Sequence, residues 1–427
     1  MDVLVIGGGG REHALVWSLA NSDSVDTVYC TPGNAGIEQL AQRWNIAAGN
    51  IDALTTAAVE HHIDLVVVGP EAPLTAGLAD RLIAEGVACF GPSSRAAVLE
   101  GSKAFSKAFM SRHGIPTAAF EIFDELASAL AFVGDSPWGY PLVVKADGLA
   151  AGKGVVICND PDEARAAVQA AMGDRVFGSA GDRLVVEAFM RGVEATCMAI
   201  CDGEQALPLI VSQDHKAAYD GDKGPNTGGM GAYGPAAGVL DEAGAERILR
   251  EVLQPTVDGM AAEDRAFHGV LYAGLILTDE GVQVLEFNCR FGDPETQVVI
   301  PLIDEDFAAR LDGIANGDGV GEPIQWSGRH AACVVLAAPG YPGKSPHGLP
   351  IDGLADAEAM DDVLVFHAAT AHEEDRLVTT GGRVLGVTGL GDSLDDALSN
   401  AYGAIDKISF EGMHYRSDIG RRGEDKP

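Results

Sequence analysis

The sequence predicts a multidomain α/β and α+β protein: an N-terminal doubly wound parallel sheet, a β-rich centre and a C-terminal α+β module. Three observations lead there. Continuous apolar runs alternate with helical stretches over the first 100 residues. Strand patterns then crowd together from residue 141 to 212 and return at 269–288. A third set, beginning near residue 328, has its own strands and a helix. A chain of 427 residues is long enough for roughly two to four domains.

Each element has a local reason. Val3-Leu4-Val5-Ile6 is a buried-strand pattern, and a glycine run leads from it into a helix from Glu12 to about Asn21. Asp26–Cys30, Asp64–Val68 and Val87–Phe90 repeat the pattern. Strands apolar on both faces imply a parallel sheet covered by helices. Ser94–His113 is helical. Pro141–Lys145 and Gly154–Ile157 flank a glycine-rich turn as a hairpin, and Arg183–Glu187 is a further strand. Glu194–Cys201 and Gln205–Ser212 are expected to pair antiparallel. A long Gly/Pro loop, 221–238, precedes a helix at about 241–262. The strands Gly269–Thr278 and Gly281–Asn288 follow. The tail adds Ala331–Leu336, Val363–His367, Arg383–Thr388 and a helix after Ser393. The expected boundaries are 1–100, 101–327 with a flap at about 120–190, and 328–427.

Composition narrows the function. Hydrophobic residues make up 47% of the chain, which rules out global disorder. No apolar run approaches the roughly 20 residues of a membrane span. Met1–Ile6 has no basic segment and enters a strand directly, unlike a signal peptide. The net charge of −34 argues against nucleic acid or an anionic membrane as partner. Seven cysteines without a CxxC pair read as reduced thiols of a cytoplasmic protein and not as a zinc site. Lysine is scarce. Six of nine fall between Lys103 and Lys223, a clustering that suits an anionic ligand.

The glycines of "VLVIGGGGREHA" do not complete a dinucleotide fingerprint, and no acid ends the second strand, so nicotinamide binding is not expected. Glycines before a helix N-terminus still suit a phosphate, although a tight strand–helix turn explains them equally. The loops at Pro32–Gly36, Gly69–Pro73 and Gly91–Ser93 should share that sheet edge, where open α/β folds bind ligands. "VVKADGLAAGKGVVI" sets Lys145 before a small-residue loop that carries Lys153. Free backbone N–H groups there suit phosphate oxygens, though a plain hairpin would read the same. "SQDHKAAYDGDKGPNTGGMGAYGP" is long and polar, as a substrate-closing loop would be. In "LEFNCRFGDPETQ", Glu286, Asn288 and Arg290 alternate and should project to one side of a strand. Carboxylate and amide oxygens suit Mg²⁺ bridging phosphates. A guanidinium beside them suits a carboxylate or phosphate.

Together with "GGREHA", "PGNAG", "VGPEAPL", "GSKAFSK" and "LYAGL", these motifs resemble the ATP-grasp superfamily. Within it the chain is similar to the phosphoribosylamine–glycine ligase family along its whole length, including "GYPG" and "GGRVL" in the tail. One departure is Ala217, where the family usually has a basic residue after "QDHK". The resemblance implies that ATP, glycine and 5-phosphoribosylamine give ADP, phosphate and glycinamide ribonucleotide through a glycyl phosphate. It implies Mg²⁺ or Mn²⁺ on Glu286 and Asn288. Lys103 and Lys145 would meet phosphates, with Gly152, Lys153 and Gly154 as a flap. Glu187 and Phe189 would line adenine and Glu194 the ribose. Arg290 would hold the glycine carboxylate, and Asp214 or Asp293 would orient an amine. Gly9, Gly10 and Asn34 would receive the ribosylamine phosphate. Glu71, Lys216 and Asn226 complete the expected substrate contacts. The rival readings are another ATP-grasp carboxylate–amine ligase, a nicotinamide oxidoreductase and a non-catalytic nucleotide binder. A monomer or weak homo-oligomer is expected. The end at Pro427 reads as a single-activity, bacterial-type chain.

Overall fold

The computed structural model describes residues 1–148 and 154–421. Its first sheet has strand order Gln42–Arg43, Thr27–Pro32, Asp2–Gly7, Leu65–Val68, Ala88–Phe90, and every pairing is parallel. Side chains alternate across this sheet. Leu4, Ile6, Val66 and Val68 pack into one core cluster, while Val3, Val5, Leu65 and Val67 pack into another. Both faces are thus buried, which is why the strands read as unbroken apolar runs. The parallel strands all end at one edge, and so do the loops at Gly8, Gly33, Gly69 and Gly91.

Two antiparallel sheets follow. The smaller has the order Phe120–Phe123, Leu184–Ala188, Leu142–Ala146, Val155–Cys158. Leu142, Val144, Ala146, Leu184 and Val186 face a core shared with the helices Leu126–Gly134 and Pro161–Val168. Its other face carries Val143, Lys145, Val155, Ile157 and Glu187, as the register requires. Ile157 is 47% exposed there. The larger sheet has the order Ala206–Pro208, Val193–Asp202, His268–Thr278, Gly281–Asn288. The expected strand over 205–212 is shorter than its pattern. Gln213–Asp214 leaves it and joins a third sheet.

That third sheet has the order Gln213–Asp214, Gly231–Gly234, His330–Ala337, Arg383–Gly391, Val363–His367. The tail therefore supplies only three of its strands. The stretch expected to be an open loop contains two strands, Lys223–Asn226 and Gly231–Gly234. The second is buried throughout and lies inside the sheet, antiparallel to His330–Ala337. Local sequence hid it because glycine and alanine carry almost no strand signal; tertiary pairing decides. In the Ala217–Tyr219/Lys223–Asn226 ribbon the second strand is exposed, while Ala217 and Ala218 are buried, their carbonyls bonded to Arg416 and His414. Among the described residues, no helix is long and apolar enough to cross a membrane.

Candidate active site

The Gly281–Asn288 strand builds the floor. Phe287 points into the core, so Glu286 and Asn288 share the opposite face. The register sets Tyr272, Gly274, Thr196 and Glu194 on that face as well. The strand ends at Asn288. Arg290 lies beyond it and turns towards the N-terminal segment, so the expected row of three is a row of two.

Four cations converge on Glu286. Burial alone would raise its pKa, but Lys216, Lys103, Lys145 and Arg290 outweigh that and hold the carboxyl below its ordinary range. Lys216 is held charged chiefly by Asp214, against burial, with Glu194 adding to the effect. Its Nζ lies 3.4 Å from Glu194 Oε2. Asp214 is itself buried. Tyr272 donates to the buried Glu295 at 2.7 Å, and burial followed by the Glu295 charge pushes its phenol pKa far up.

Behind this face sits a buried ion cluster. Glu187 is 2% exposed; Lys145 Nζ lies 2.7 Å from its Oε1 and Lys107 Nζ 2.8 Å from its Oε2. Lys145 also donates to the Leu285 carbonyl at 3.2 Å, tying the smaller sheet to the floor strand. Lys107 donates to Thr117 Oγ1 at 2.7 Å, which donates to the Val284 carbonyl at 2.6 Å. Desolvation lowers the Lys107 pKa to about 8 against the pull of Glu187. The Glu187 side chain is thus engaged by lysines, and its backbone lies between Phe120 and Val143 in the sheet. Phe189 stands beside Arg191, whose guanidinium carbon is 5.5 Å from the ring centre. Both line a cleft of about 380 Å³ with Thr117, Ala119, Ala188 and Gln283. Gly154 is buried, and its carbonyl accepts the Ala146 N–H at 2.8 Å. Gly152 and Lys153 lie outside the described residues.

Arg290 is engaged on two sides. Its Nη2 donates to Glu100 Oε1 at 3.0 Å, and its Nε lies 3.4 Å from Glu71 Oε2. Glu71 is held ionised: Arg290, then its own backbone N–H and Arg11, outweigh the cost of burial. Asp293 accepts from Gln297 Nε2 at 2.8 Å and pairs with Arg383 Nη2 at 3.0 Å. Arg383 and Arg11 overcome burial and keep it charged.

At the N-terminal glycines the fold supplies a carboxylate of its own. The Gly9 N–H donates to Glu12 Oε2 at 2.6 Å, so the helix's own acid occupies the place of an external anion. A Cβ on Gly10 would lie 2.6 Å from Gln297 Nε2, and one on Gly9 would lie 3.6 Å from Asp293 Oδ2. At Gly10 the central segment leaves no room for a side chain, whereas at Gly9 the nearest atom is Glu12 Oε2, at 2.9 Å. The Asn34 side chain is likewise committed. Its Nδ2 donates to the Gly8 and His367 carbonyls at 3.0 and 2.7 Å. Its Oδ1 accepts the Gly36 and Ile37 N–H groups. It joins the N-terminal edge to the C-terminal sheet, as does the His367 N–H that donates to His13 Nδ1 at 2.7 Å. Asn226 sits on the exposed ribbon, paired with Ala217. Lys107, Glu100, Arg11 and Arg383 were not singled out by motif reading. Lys107 left a signal as a member of the lysine cluster, and Arg11 and Arg383 lie within the "GGREHA" and "GGRVL" motifs; Glu100 left none.

The donor set fits a divalent cation shared with phosphates. Among the described residues no group of three or more His, Cys, Asp or Glu could hold a metal alone. Glu286 and Asn288 supply two hard oxygens amid surplus cations, a pattern that relies on substrate phosphates for the other ligands.

Comparison with known proteins agrees with this geometry. Models of the N, ATP-grasp (A) and C domains of phosphoribosylglycinamide synthetase match residues 1–100, 101–296 and 331–422. A phosphoribosylamine–glycine ligase of Caulobacter vibrioides is 52% identical over 424 residues, 99% of this chain and 98% of that protein. The chicken trifunctional purine biosynthetic protein adenosine-3 is 48% identical over 98% of this chain, which covers 42% of that longer protein. The crystal structure of phosphoribosylamine–glycine ligase from Thermotoga maritima superposes with a TM-score of 0.84 at 33% identity, covering 98% of this chain and 100% of the other. A biotin carboxylase of Campylobacter jejuni, 14% identical with a TM-score of 0.74 over 97% and 92% of the two chains, shares the fold. The chain belongs to the phosphoribosylglycinamide synthetase family, ATP-dependent ligases of purine biosynthesis.

Proposed function

We propose that this chain joins glycine to 5-phosphoribosylamine, with ATP cleaved to ADP and phosphate, through a glycyl phosphate. The observation that carries the reading is the convergence of Lys103, Lys145, Lys216 and Arg290 on Glu286, beside Asn288. Phosphoryl transfer needs charge neutralisation and in-line placement more than covalent help, and the cations around Glu286 support the first of these. A Mg²⁺ or Mn²⁺ ion held by Glu286 and Asn288 would screen and orient the nucleotide phosphates.

Lys103 and Lys145 neutralise phosphate charge. Gly154 anchors the near end of the loop whose Gly152 and Lys153 would cover the phosphates. The exposed apolar side of the smaller sheet, Val143, Val155 and Ile157, gives a base something to lie on. Phe189 and the end of the strand after Glu187 meet its edge, and Glu194 takes ribose hydroxyls. Arg290 and Glu71, the longer of the two pairs around this guanidinium, match the two ends of a zwitterion: Arg290 the carboxylate of glycine, Glu71 its ammonium. Lys216, kept charged by Asp214 and Glu194 and drawn also to Glu286, would meet the transferred phosphoryl group. Asp214 or Asp293 holds the incoming amine and takes its proton as the C–N bond forms and phosphate leaves. Gly9, Gly10 and Asn34 shape the N-terminal wall through their backbone. Asn226, on the exposed ribbon, meets substrate only when that ribbon folds inward. The protein works as a cytoplasmic monomer or weak homo-oligomer.

The test is ADP release from Mg²⁺-ATP with glycine alone, amine alone and both together. Release only with both supports the reading. Turnover with a different acid or amine would overturn the substrate assignment and leave the ligase fold.

A further inference from the structure

Arg383 begins the Arg383–Gly391 strand of the third sheet, yet its guanidinium reaches out of that sheet. Nη2 lies 3.0 Å from Asp293 Oδ2. Nη1 donates to the Asp293 carbonyl at 2.9 Å and the Gly228 carbonyl at 2.7 Å. The Gly228 N–H donates to the Tyr341 hydroxyl at 3.0 Å. Thr227 is pinned from the other side, its N–H and Oγ1 donating to the Lys216 carbonyl at 2.7 and 2.9 Å. Gly229 has φ +116°, and a side chain there would collide with the Pro294 ring. The turn at 227–229 therefore lies flat on Asp293–Pro294, and Arg383 is the fastener. A guanidinium can do this because its planar fork serves several oxygens at once; an ammonium offers a point charge.

The fastened carboxylate is a meeting place. Asp293 abuts Gly9 of the N-terminal edge, follows the floor strand in the chain, and is held by the C-terminal sheet. The turn on its other side ends at the carbonyl of Lys216, which faces Glu194.

We propose that Arg383 is a positioning residue for ligation: by fastening Thr227–Gly229 to Asp293–Pro294 it fixes the wall against which the amine is held, so that the acyl phosphate is trapped by nitrogen and not by water. This rests on the reading that Asp293 faces the amine. In the productive step the amine nitrogen bonds to the acyl carbon, the C–O bond to phosphate breaks, and the amine proton passes to a carboxylate. In the leak, water oxygen bonds to the same carbon and glycine and phosphate are regenerated. Each route consumes one ATP, so ADP formed per ligated product reads the partition between them.

The test uses the full chain with Arg383→Met, Arg383→Lys and Asp293→Asn. For Arg383→Met we expect KM for phosphoribosylamine to rise about tenfold, several ADP per product, and KM for ATP within about twofold of the parent, as misplacement of one partner predicts. Arg383→Lys should fall between, keeping charge without the fork. A role in stability alone would lower the melting temperature and the active fraction but leave amine KM and one ADP per product. That result in both Arg383 variants overturns the proposal. If Arg383→Met does not fold, Arg383→Lys decides on the same two readouts. An unchanged amine KM in Asp293→Asn, with leakage in Arg383→Met, removes Asp293 as the amine contact and keeps Arg383 acting through the turn. A parent protein that releases no ADP with these substrates overturns both readings.

Discussion

Two buried ion clusters flank the site and carry opposite surpluses. Around Glu187, two ammonium groups meet one carboxylate. Around Arg290, one guanidinium meets two carboxylates. Both solve the same problem, since a lone buried charge is very costly. They leave different remainders. The first has positive charge to spare beside the phosphate lysines, which suits a polyanion. The second has negative charge to spare at the N-terminal edge, which suits an ammonium. The difference teaches that two clusters built around one strand and the residues that follow it can leave remainders of opposite sign.

The contrast can be broken at four points. Removing the cation bonded to the floor strand at Leu285, Lys145→Met, should cost about 10²–10³ in kcat, the scale of losing one electrostatic stabiliser of a transition state. Steady-state ADP release checks it. Lys107→Met should cost about 3 kcal/mol of stability, as stripping one partner from a buried pair does, and urea unfolding would show it. Glu71→Gln should raise KM for glycine about tenfold, or about 1.4 kcal/mol, with KM for ATP unchanged. A lowered glycine KM would mean that Glu71 competes with the substrate for Arg290. The smallest effect is one of pH. Lys107 loses its proton near pH 8 in the native protein, and with it the Glu187 cluster loses its spare charge. KM for ATP should therefore rise about two- to threefold from about pH 7 to about pH 9, with a proton taken up on binding at the higher value. Lys107→Met should be flat over that range.

The same contrast separates what was legible in the sequence from what was not. Glu286 and Asn288 were readable because a strand's period of two is local and Phe287 between them is plainly core. The parallel sheet was readable for the same reason: Val3–Ile6 and Leu65–Val68 carry their burial in their own composition. The clusters were not. Glu187 lies eighty positions from Lys107, and no window of sequence joins Arg290 to Glu71 or Asp293 to Arg383. Gly9 and Gly10 show the limit best. Their pattern suggests an anion and does not show that Glu12 sits at the Gly9 N–H or that Gln297 fills the space beside Gly10. Gly231–Gly234 was missed because its strand character comes from the neighbours it pairs with.

That strand also bears on how the chain is made. Gly231–Gly234 emerges early and meets its partner, His330–Ala337, only roughly a hundred residues later, the kind of long-range pairing that slows folding. Until then the side of its backbone away from Gln213–Asp214 is an unpaired edge, open to other chains. A ribosome-released product stopped near residue 328 would carry that edge permanently, and a fragment beginning there would lack two strands of its sheet. Cutting between the second and third family segments is thus expected to yield two aggregation-prone pieces that recover when expressed together.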